Sequence, residues 1–219
     1  MNTENYMENN IVVIVGKVVS GLDFSHEVYE EKFYTFMLEV PRLSDTTDII
    51  KVTISEKFLS NMELIIGTAV LIKGQFRSYN NFTNVGNKLI LTVFVKSIEK
   101  VSESQIELNE NSIYLNGYIC KQPVYRITPF GREIADILLA VNRSYNKSDY
   151  IPCIAWGRNA KYAENLEVGN NVIIRGRIQS RDYQKKISET EVENKTAYEV
   201  SVSKLEINRY DRDEECPEV

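Results

Sequence analysis

Hydrophobic residues occur along this chain in short runs that polar, turn-forming segments separate. In the second half, five runs rich in Val, Ile or Tyr lie at residues 113–119, 134–141, 150–156, 171–178 and 198–207. Turn signals divide them, such as Pro129-Phe130-Gly131 and the stretch 142–149. The pattern predicts five short β-strands.

Between the third and fourth predicted strands lies the one stretch with helical character, residues 158–167. The first half has a corresponding stretch at 56–66. Gly169 and Gly67 follow these stretches and are placed as helix terminators. Three strands, one helix and two strands is the element order of the five-stranded Greek-key barrel called the OB-fold. A sandwich would need about seven strands.

The chain carries this pattern twice. Val15-Gly16-Lys17-Val18 corresponds to Asn116-Gly117-Tyr118-Ile119, 101 positions later, and the strand 70–74 corresponds to 172–176. Such a long period indicates two domains of one fold rather than a solenoid. We therefore predict an all-β protein with two tandem five-stranded OB-fold barrels, each with one short helix between strands 3 and 4. The first copy spans 10–104, the second copy spans 111–210, and an acidic tail spans 211–219.

Charge is distributed unevenly between these parts. The net charge of −5 argues at first against a nucleic-acid partner. However, residues 112–210 contain 15 Lys and Arg against 11 Asp and Glu, whereas the first 105 residues contain 10 against 13. The last nine residues hold one Arg and five acids. A basic second copy is thus masked by an acidic first copy and an acidic tail, although scattered surface charge would give similar counts.

Targeting, membrane and metal signals are absent from the sequence. The N-terminus lacks a basic segment, and no apolar run approaches the roughly 20 residues of a membrane span. Cys120, Cys153 and Cys216 are too few and too scattered for a disulfide framework or a zinc site. We expect a soluble cytoplasmic protein with no metal, no cofactor and no membrane association.

The third strand of the second copy distinguishes a scaffold from a binding surface. Because side chains alternate across a strand, Ile151, Cys153 and Ala155 share one face, which suits the barrel core. Tyr150 and Trp156 then lie on the outer face with Pro152 and Ile154. The first copy keeps the core face as Ile50, Val52 and Ile54, but its outer face reads Ile49, Lys51, Thr53 and Ser55.

Exposed aromatic rings beside cations indicate base stacking on single-stranded nucleic acid, in which rings accept the bases and Lys or Arg hold the phosphates. The candidate binding residues are Tyr145, Tyr150, Trp156 and Tyr183, with the cations Arg143, Lys147, Arg158, Lys161, Arg175, Arg177 and Arg181. The alternative is that these rings pack against another subunit or against the other copy.

The second copy resembles the bacterial single-stranded DNA-binding protein family. The resemblance rests on Asn111–Gly117, Asp136–Val141, Tyr150–Gly157, Leu166–Arg177 and Tyr198–Val202, which occur in order and with family-like spacing. It implies an OB-fold that stacks DNA bases on aromatic residues. Carried over by position, these residues are Tyr145, Tyr150, Trp156 and Tyr183. The corresponding positions of the first copy, Ser44, Ile49 and Ser55, are not aromatic, so a spacer or dimerisation role is the alternative there; Tyr79 and Phe82 could still stack.

The resemblance also bears on partners. Family members usually end in an acidic tip that recruits replication and repair proteins; the tail 211–219 is acidic but ends in Val219, and a plain solvated tail is the alternative. The family typically assembles four OB-folds. A homodimer of this chain would supply four, and we expect the edge of at least one first strand to be covered by the partner subunit.

An enzyme is a weaker interpretation of this sequence. The only histidine, His26, is placed in a loop, and we expect Asp45, Asp48 and Asp149 to be isolated, solvated loop acids rather than a nuclease cluster. Two further alternatives are an OB-fold scaffold for protein interactions and an RNA-binding module without a DNA-protecting role. The expected function is sequence-nonspecific binding of single-stranded DNA in replication, recombination or repair.

Overall fold

The computed structural model describes residues 8–44, 46–60, 62–83, 86–107, 109–186 and 192–208. The first copy contains β1 (Asn10–Val18), β2 (Asp23–Val28), β3 (Glu31–Pro41), β4 (Thr47–Ser55), α1 (Glu56–Leu59), β5 (Ala69–Thr83) and β6 (Gly86–Lys100). A short helix, α2 (Glu103–Ile106), follows it. His26 lies in β2, so its placement in a loop was wrong.

The second copy contains β7 (Asn111–Ile127), β8 (Glu133–Arg143), β9 (Lys147–Trp156), α3 (Arg158–Glu164), β10 (Asn171–Lys186) and β11 (Val192–Ile207). Each predicted strand falls within an observed one. The first copy has six strands rather than five, because residues 19–22 interrupt its first strand between β1 and β2. In the second copy the corresponding strand, β7, continues past two register shifts.

Each copy closes into a barrel. In the first copy the strand order is β1-β5-β6-β4-β3, and an additional β1–β3 pairing closes the ring. The second copy has the order β10-β11-β9-β8-β7, closed by β10–β7. The pairings of the first copy are antiparallel except β4–β6, which is parallel. The tandem OB-fold prediction is therefore confirmed.

Backbone contacts divide the described residues into two compact units. The first unit contains residues 11–113 together with 177–200, and the second unit contains residues 8–10, 114–176 and 201–208. Most of the hairpin formed by β10 and β11 therefore belongs to the same unit as the first copy. The boundaries 10–104 and 111–210 stay a prediction.

Both barrels are filled from equivalent positions. Ile50, Val52 and Ile54 are fully buried, as predicted, and Ile151, Cys153 and Ala155 are buried in the second copy. The last strands agree at an offset of 107 residues. Val93 and Val95 of β6 are buried, as are Val200 and Val202 of β11. This agreement fixes which outer-face positions of the two last strands correspond.

Two glycines at equivalent positions allow strands to approach closely. A Cβ atom on Gly16 would lie 2.3 Å from the carbonyl oxygen of Glu39, and one on Gly117 would lie 2.6 Å from that of Ala140. Real Cβ atoms do not come so close, so any other residue would push these strands apart. The Gly16 and Gly117 match that marks the repeat is thus a packing requirement of each barrel.

The two predicted helices, α1 and α3, are shorter than expected. α1 ends at Leu59 rather than at residue 66, and α3 ends at Glu164 rather than at 167. The Ser60 hydroxyl donates to the carbonyl of Glu56, and the side-chain amide of Asn165 donates to the carbonyl of Lys161. Such side chains compete with the helical hydrogen bonds. The prediction that Gly67 and Gly169 terminate these helices was therefore wrong.

Gly67 and Gly169 instead form equivalent turns before β5 and β10, with φ of 91° and 92°. The amide of Gly67 donates to Val18 and that of Gly169 to Ile119, each at 2.8 Å. Glycine adopts this left-handed conformation without strain. These turns tie the start of each fourth barrel strand to the strand that begins the copy.

Asp48 and Asp149 are fully buried, so the expectation of solvated loop acids was wrong for both. The Asp48 carboxylate accepts from Arg42 Nε at 2.8 Å and Nη2 at 2.6 Å, and these hydrogen bonds to the carboxylate raise the pKa of Arg42. The Asp149 carboxylate accepts from Arg143 Nη1 at 3.2 Å. The Arg42–Asp48 and Arg143–Asp149 ion pairs are related by an offset of 101 residues, so this ion pair is part of the repeated fold. Asp45 lies outside the described residues.

Within the first unit, Asp48 also anchors the segment 177–200. Its carboxylate accepts from the Ser180 amide at 2.7 Å, and the Ile49 amide donates to Ser180 Oγ at 3.1 Å. The Arg42 guanidinium donates to the Ser180 carbonyl at 3.1 Å. The buried Asp48 carboxylate thus binds both Arg42, which directly follows β3, and the segment 177–200.

Candidate nucleic-acid interface

The outer face of β9 presents aromatic rings at its two ends, as predicted. Tyr150 is 44% exposed and Trp156 is 36% exposed, while Ile151, Cys153 and Ala155 between them are buried in the core. Of the other two outer residues, Pro152 is half-buried and Ile154 is buried. The rings are therefore separate contact points, about 20 Å apart along the strand, rather than a continuous aromatic stripe.

Trp156 is held on β11 by its indole nitrogen. Nε1 donates to Ser201 Oγ at 3.2 Å, both residues lying in the second unit. The chain then turns at Gly157, whose φ is +53°, and α3 begins at Arg158. Because one edge of the ring is anchored while a third of the residue stays exposed, Trp156 has a defined orientation at the surface.

Residues on α3 and β11 form a surface cleft of about 500 Å³ beside this ring, lined by Trp156, Arg158, Asn159, Tyr162, Ser203 and Leu205. Asn159 Nδ2 donates to the Ser203 carbonyl at 3.0 Å and so ties α3 to β11. Tyr162 is exposed and lies four residues after Arg158, on the same helix face. Sequence reasoning missed Asn159, Tyr162 and Ser203, although the i, i+4 spacing was visible.

Tyr145 lies at the tip of the β8–β9 turn. It is 93% exposed, and its φ of +63° places it in the left-handed region together with Asn146. The Arg143–Lys147 backbone pair closes this three-residue turn. A non-glycine residue in this conformation is uncommon, and here it directs a tyrosine away from the sheet.

The predicted cations of the second unit differ in their present contacts. Arg143 pairs with buried Asp149, and Lys161 Nζ lies 2.9 Å from Glu133 Oε1. That hydrogen bond raises the pKa of Lys161 and lowers the pKa of Glu133. The guanidinium of Arg175 lies 4.8 Å from the centre of the Tyr114 ring. The side chains of Lys147 and Arg158 are exposed.

The remaining predicted site residues belong to the first unit. Tyr183 is exposed, and the Arg181 guanidinium lies 5.9 Å from its ring centre and 3.9 Å from Glu199 Oε1. Arg177 Nη1 lies 4.0 Å from Asp48 Oδ2. The eleven predicted residues are therefore divided between the two compact units.

The non-aromatic counterparts in the first copy have structural contacts. Ser55, equivalent to Trp156, is buried and caps α1 by accepting from the Lys57 amide. Its hydroxyl donates to Glu31, whose pKa is lowered by its hydrogen bonds with Lys57 and Ser55. Tyr79 is half-exposed, and burial raises its pKa. The side chain of Phe82 lies outside the described residues, as does the tail 211–219.

Among the described residues, no group of three or more His, Cys, Asp or Glu side chains is arranged to hold a metal ion. Neither Cys120 nor Cys153 forms a disulfide bond. None of the helices in the described part of the chain is long and apolar enough to cross a membrane.

Comparison with known proteins relates the second copy to one family. Residues 110–208 match the single-strand binding protein family. Single-stranded DNA-binding protein 2 of Listeria innocua is 37% identical over 93 residues, which are 37% of this chain and 58% of that protein. The chain spans about half the length of the curated relatives it matches.

Two solved structures are also similar. A deletion mutant of the single-stranded DNA binding protein from Thermus aquaticus has a TM-score of 0.72 at 16% identity, covering 91% of this chain and 94% of that chain. The N-terminal domain of PriB protein from Thermoanaerobacter tencongensis is 54% identical and covers 44% of this chain and 100% of that chain, with a TM-score of 0.39. The fold comparison therefore rests on the Thermus protein, which shares both OB-folds.

Proposed function

We propose that this chain binds single-stranded DNA without sequence preference, because residues 110–208 match the single-strand binding protein family. The observation that carries the proposal is the outer face of β9, where Tyr150 and Trp156 are exposed at opposite ends of one strand. Aromatic rings accept the π-face of any base, so stacking requires unpaired bases but no particular sequence.

The surroundings of Trp156 support a stacking role. The bond from Nε1 to Ser201 Oγ fixes the indole, so little side-chain entropy is lost when a base stacks on it. Arg158 lines the adjacent cleft together with Tyr162, which places a cation and a second ring beside the indole. We add Tyr162 and Asn159 to the site.

Cations contribute to different degrees in this proposal. Lys147 and Arg158 are exposed and contact phosphates directly. Arg143 and Lys161 exchange part of their interaction with Asp149 and Glu133 for phosphate, so each contributes less. Arg175, Arg177, Arg181 and Tyr183 stay predicted contacts of the same DNA.

In this role the chain is a non-enzymatic protein of the bacterial cytoplasm that protects single-stranded DNA during replication, recombination or repair. It uses no cofactor. The acidic tail 211–219 recruits replication or repair proteins in this proposal, by resemblance to the family.

A homodimer with four OB-folds is the proposed assembly. Protection of an open strand edge is a weak reason for this dimer, because the first strand of each copy already has a hydrogen-bond partner at its edge. The Val15 amide donates to the Glu110 carbonyl within the first unit, and the Asn116 amide donates to the Asn9 carbonyl within the second, each at 2.8 Å. The dimer therefore rests on the four-domain count of the family rather than on edge protection.

Competition binding tests this function. A fluorescent oligo-dT is bound to the protein and then displaced by equal lengths of mixed-sequence single-stranded DNA, duplex DNA or single-stranded RNA, at two salt concentrations. We expect single-stranded DNA of any sequence to compete well and duplex to compete poorly, with affinity falling steeply as salt rises. Preferential displacement by RNA would favour an RNA-binding module. No binding at low salt would favour a protein-interaction scaffold and contradict the proposal.

A further inference from the structure

The first copy lacks an aromatic residue at each of the three matched family positions described above, yet its outer face carries a row of three aromatic rings in contact. The imidazole of His26 stacks on Phe33 with ring centres 4.9 Å apart and 9° between the planes. The Phe33 ring in turn contacts the Phe94 ring, with their centres 5.6 Å apart. We call His26, Phe33 and Phe94 the first-copy ring row; all three belong to the first unit.

Phe94 occupies the place in the first copy that Ser201 occupies in the second. The buried residues of β6 and β11 agree at an offset of 107, and the same offset relates Phe94 to Ser201. In the second copy Ser201 is the residue on which the Trp156 indole rests. In the second copy the aromatic residue is Trp156 on β9 and the small residue is Ser201 on β11. In the first copy the arrangement is reversed, with the small residue Ser55 on β4 and the aromatic residue Phe94 on β6.

The strand pairings place this exchange at one site on the barrel. Phe94 pairs with Thr53 of β4, two residues before Ser55, and Phe33 pairs with Ser55 itself. Ser55 itself is buried. An aromatic ring is therefore present at the same part of the outer face in both copies, supplied by β9 in the second copy and by β6 in the first.

Cations accompany the ring row. The guanidinium of Arg77 lies 4.0 Å from the centre of the Phe94 ring and is held by Gln75 Oε1, which accepts from Nη2 at 2.8 Å. The Lys96 ammonium lies 6.0 Å from the same centre. A guanidinium plane on an aromatic ring extends the surface on which a base can stack, and the positive charge attracts phosphate.

The row is accessible from solvent. His26 is exposed, and Phe33 and Phe94 are half-buried rather than part of the core. Core packing alone would not leave this much aromatic surface outside the barrel.

We infer that the outer face of the first copy is a second stacking site for single-stranded nucleic acid, built on Phe94, Phe33 and His26 with Arg77 and Lys96 as its cations. The inference rests on the proposed function, since it assumes the same class of ligand. It assigns binding to the copy for which the sequence left a spacer or dimerisation role as the alternative. The cations beside Phe94 favour nucleic acid over a second protein as the occupant.

A tryptophan reporter tests this site directly. Trp156→Phe removes the only tryptophan, and Phe94→Trp in that background places a single indole in the ring row. We expect a saturable loss of fluorescence when oligo-dT is added. Ile65→Trp in the same background is the control, because Ile65 is exposed in the loop before β5, outside the row, and its fluorescence should change much less. A silent reporter at position 94 in a protein that binds oligo-dT overturns the inference and leaves the proposed function intact.

A second variant keeps the test independent of the reporter. In a background with Tyr150→Leu and Trp156→Leu, the further change Phe94→Leu preserves apolar volume and removes the ring. We expect affinity for oligo-dT to fall at least about fivefold further, as loss of one base stack predicts. Unchanged affinity overturns the inference, as does a loss of dimer mass on Phe94→Leu together with a silent reporter, which would mark a protein contact. If the unaltered chain binds no single-stranded nucleic acid, both proposals fail.

Discussion

At the scale of single residues, Tyr150 and Trp156 owe their exposure to the alternation of side chains in β9. That alternation was readable from the sequence because the neighbouring core residues are small and apolar. The hydrogen bond from Trp156 to Ser201 could not be predicted from the sequence, since it joins residues that are 45 positions apart on different strands. The burial of Ser55 in the first copy was missed for the same reason.

We expect Tyr150→Ala and Trp156→Ala each to weaken binding of oligo-dT by about 1–3 kcal/mol, or about 5- to 100-fold, because each removes one base stack. Fluorescence anisotropy with labelled DNA measures the loss, and circular dichroism checks that the fold persists. Ile49→Ala, at the position equivalent to Tyr150, is the matched control and should change affinity little. Equal losses for Ile49→Ala and Tyr150→Ala would show that the site is misplaced.

Asp48 illustrates a residue whose role the sequence concealed. Asp48→Ala removes the carboxylate that pairs with Arg42 and accepts from the Ser180 amide. Loss of one partner of a buried ion pair costs roughly 3–5 kcal/mol. We expect the free energy of unfolding, from denaturant titration, to fall by about 3 kcal/mol, at the lower end because Arg42 retains some exposure.

Asp136→Ala provides the comparison for that variant. Asp136 also accepts two hydrogen bonds from an arginine, Arg126, but the side chains of both residues are about half-exposed. Exposed ion pairs contribute roughly 0–1 kcal/mol to stability, so the free energy of unfolding should change little in Asp136→Ala. A similar loss in both variants would mean that burial does not determine the contribution of these ion pairs.

At the scale of elements, the strands were predicted better than the helices. Strand positions follow from hydrophobic runs and turn residues, which are local. The ends of α1 and α3 depend on side chains such as Ser60 and Asn165 that bond back to the preceding turn, and the pattern of apolar residues does not reveal this. Gly67 and Gly169 were correctly identified as special, but for the wrong element.

The paired first strands depend on glycine. We expect Gly16→Ala to lower the free energy of unfolding by about 1–3 kcal/mol, because the new Cβ would lie 2.3 Å from the Glu39 carbonyl oxygen and must displace a backbone. Gly21→Ala is the control in the same region, since a Cβ there meets nothing within 4 Å. Its effect should be near zero or slightly stabilising. Equal destabilisation of the two variants would rule out close strand approach as the reason for Gly16.

At the scale of the whole molecule, the internal repeat predicted two OB-folds and the asymmetry between them. It did not predict that residues 177–200 join the compact unit of the first copy, because that depends on contacts such as Asp48 with Ser180. Nor did it predict the first-copy ring row, since Phe94 lies on a strand where the second copy has serine. Transfer of residues position by position finds sites that stay at the same place in both copies, but it misses an aromatic ring that lies on a different strand.

Light scattering measures the proposed assembly. We expect a mass of two chains of 25.3 kDa at micromolar concentration, which provides four OB-folds. A mass near one chain would refute the dimer. A mass near four chains would mean eight domains and a different architecture.

The most direct test of the account is the fluorescence of Trp156 during titration with oligo-dT. Trp156 is the only tryptophan of the chain, so the signal reports one place on the outer face of β9. An oligonucleotide of about 35 nucleotides is long enough for two OB-folds at up to ~16 nucleotides each. We expect a saturable quench of Trp156 fluorescence that salt reverses and that duplex DNA of equal length does not produce. Unchanged Trp156 fluorescence in the presence of bound DNA would contradict base stacking at this site.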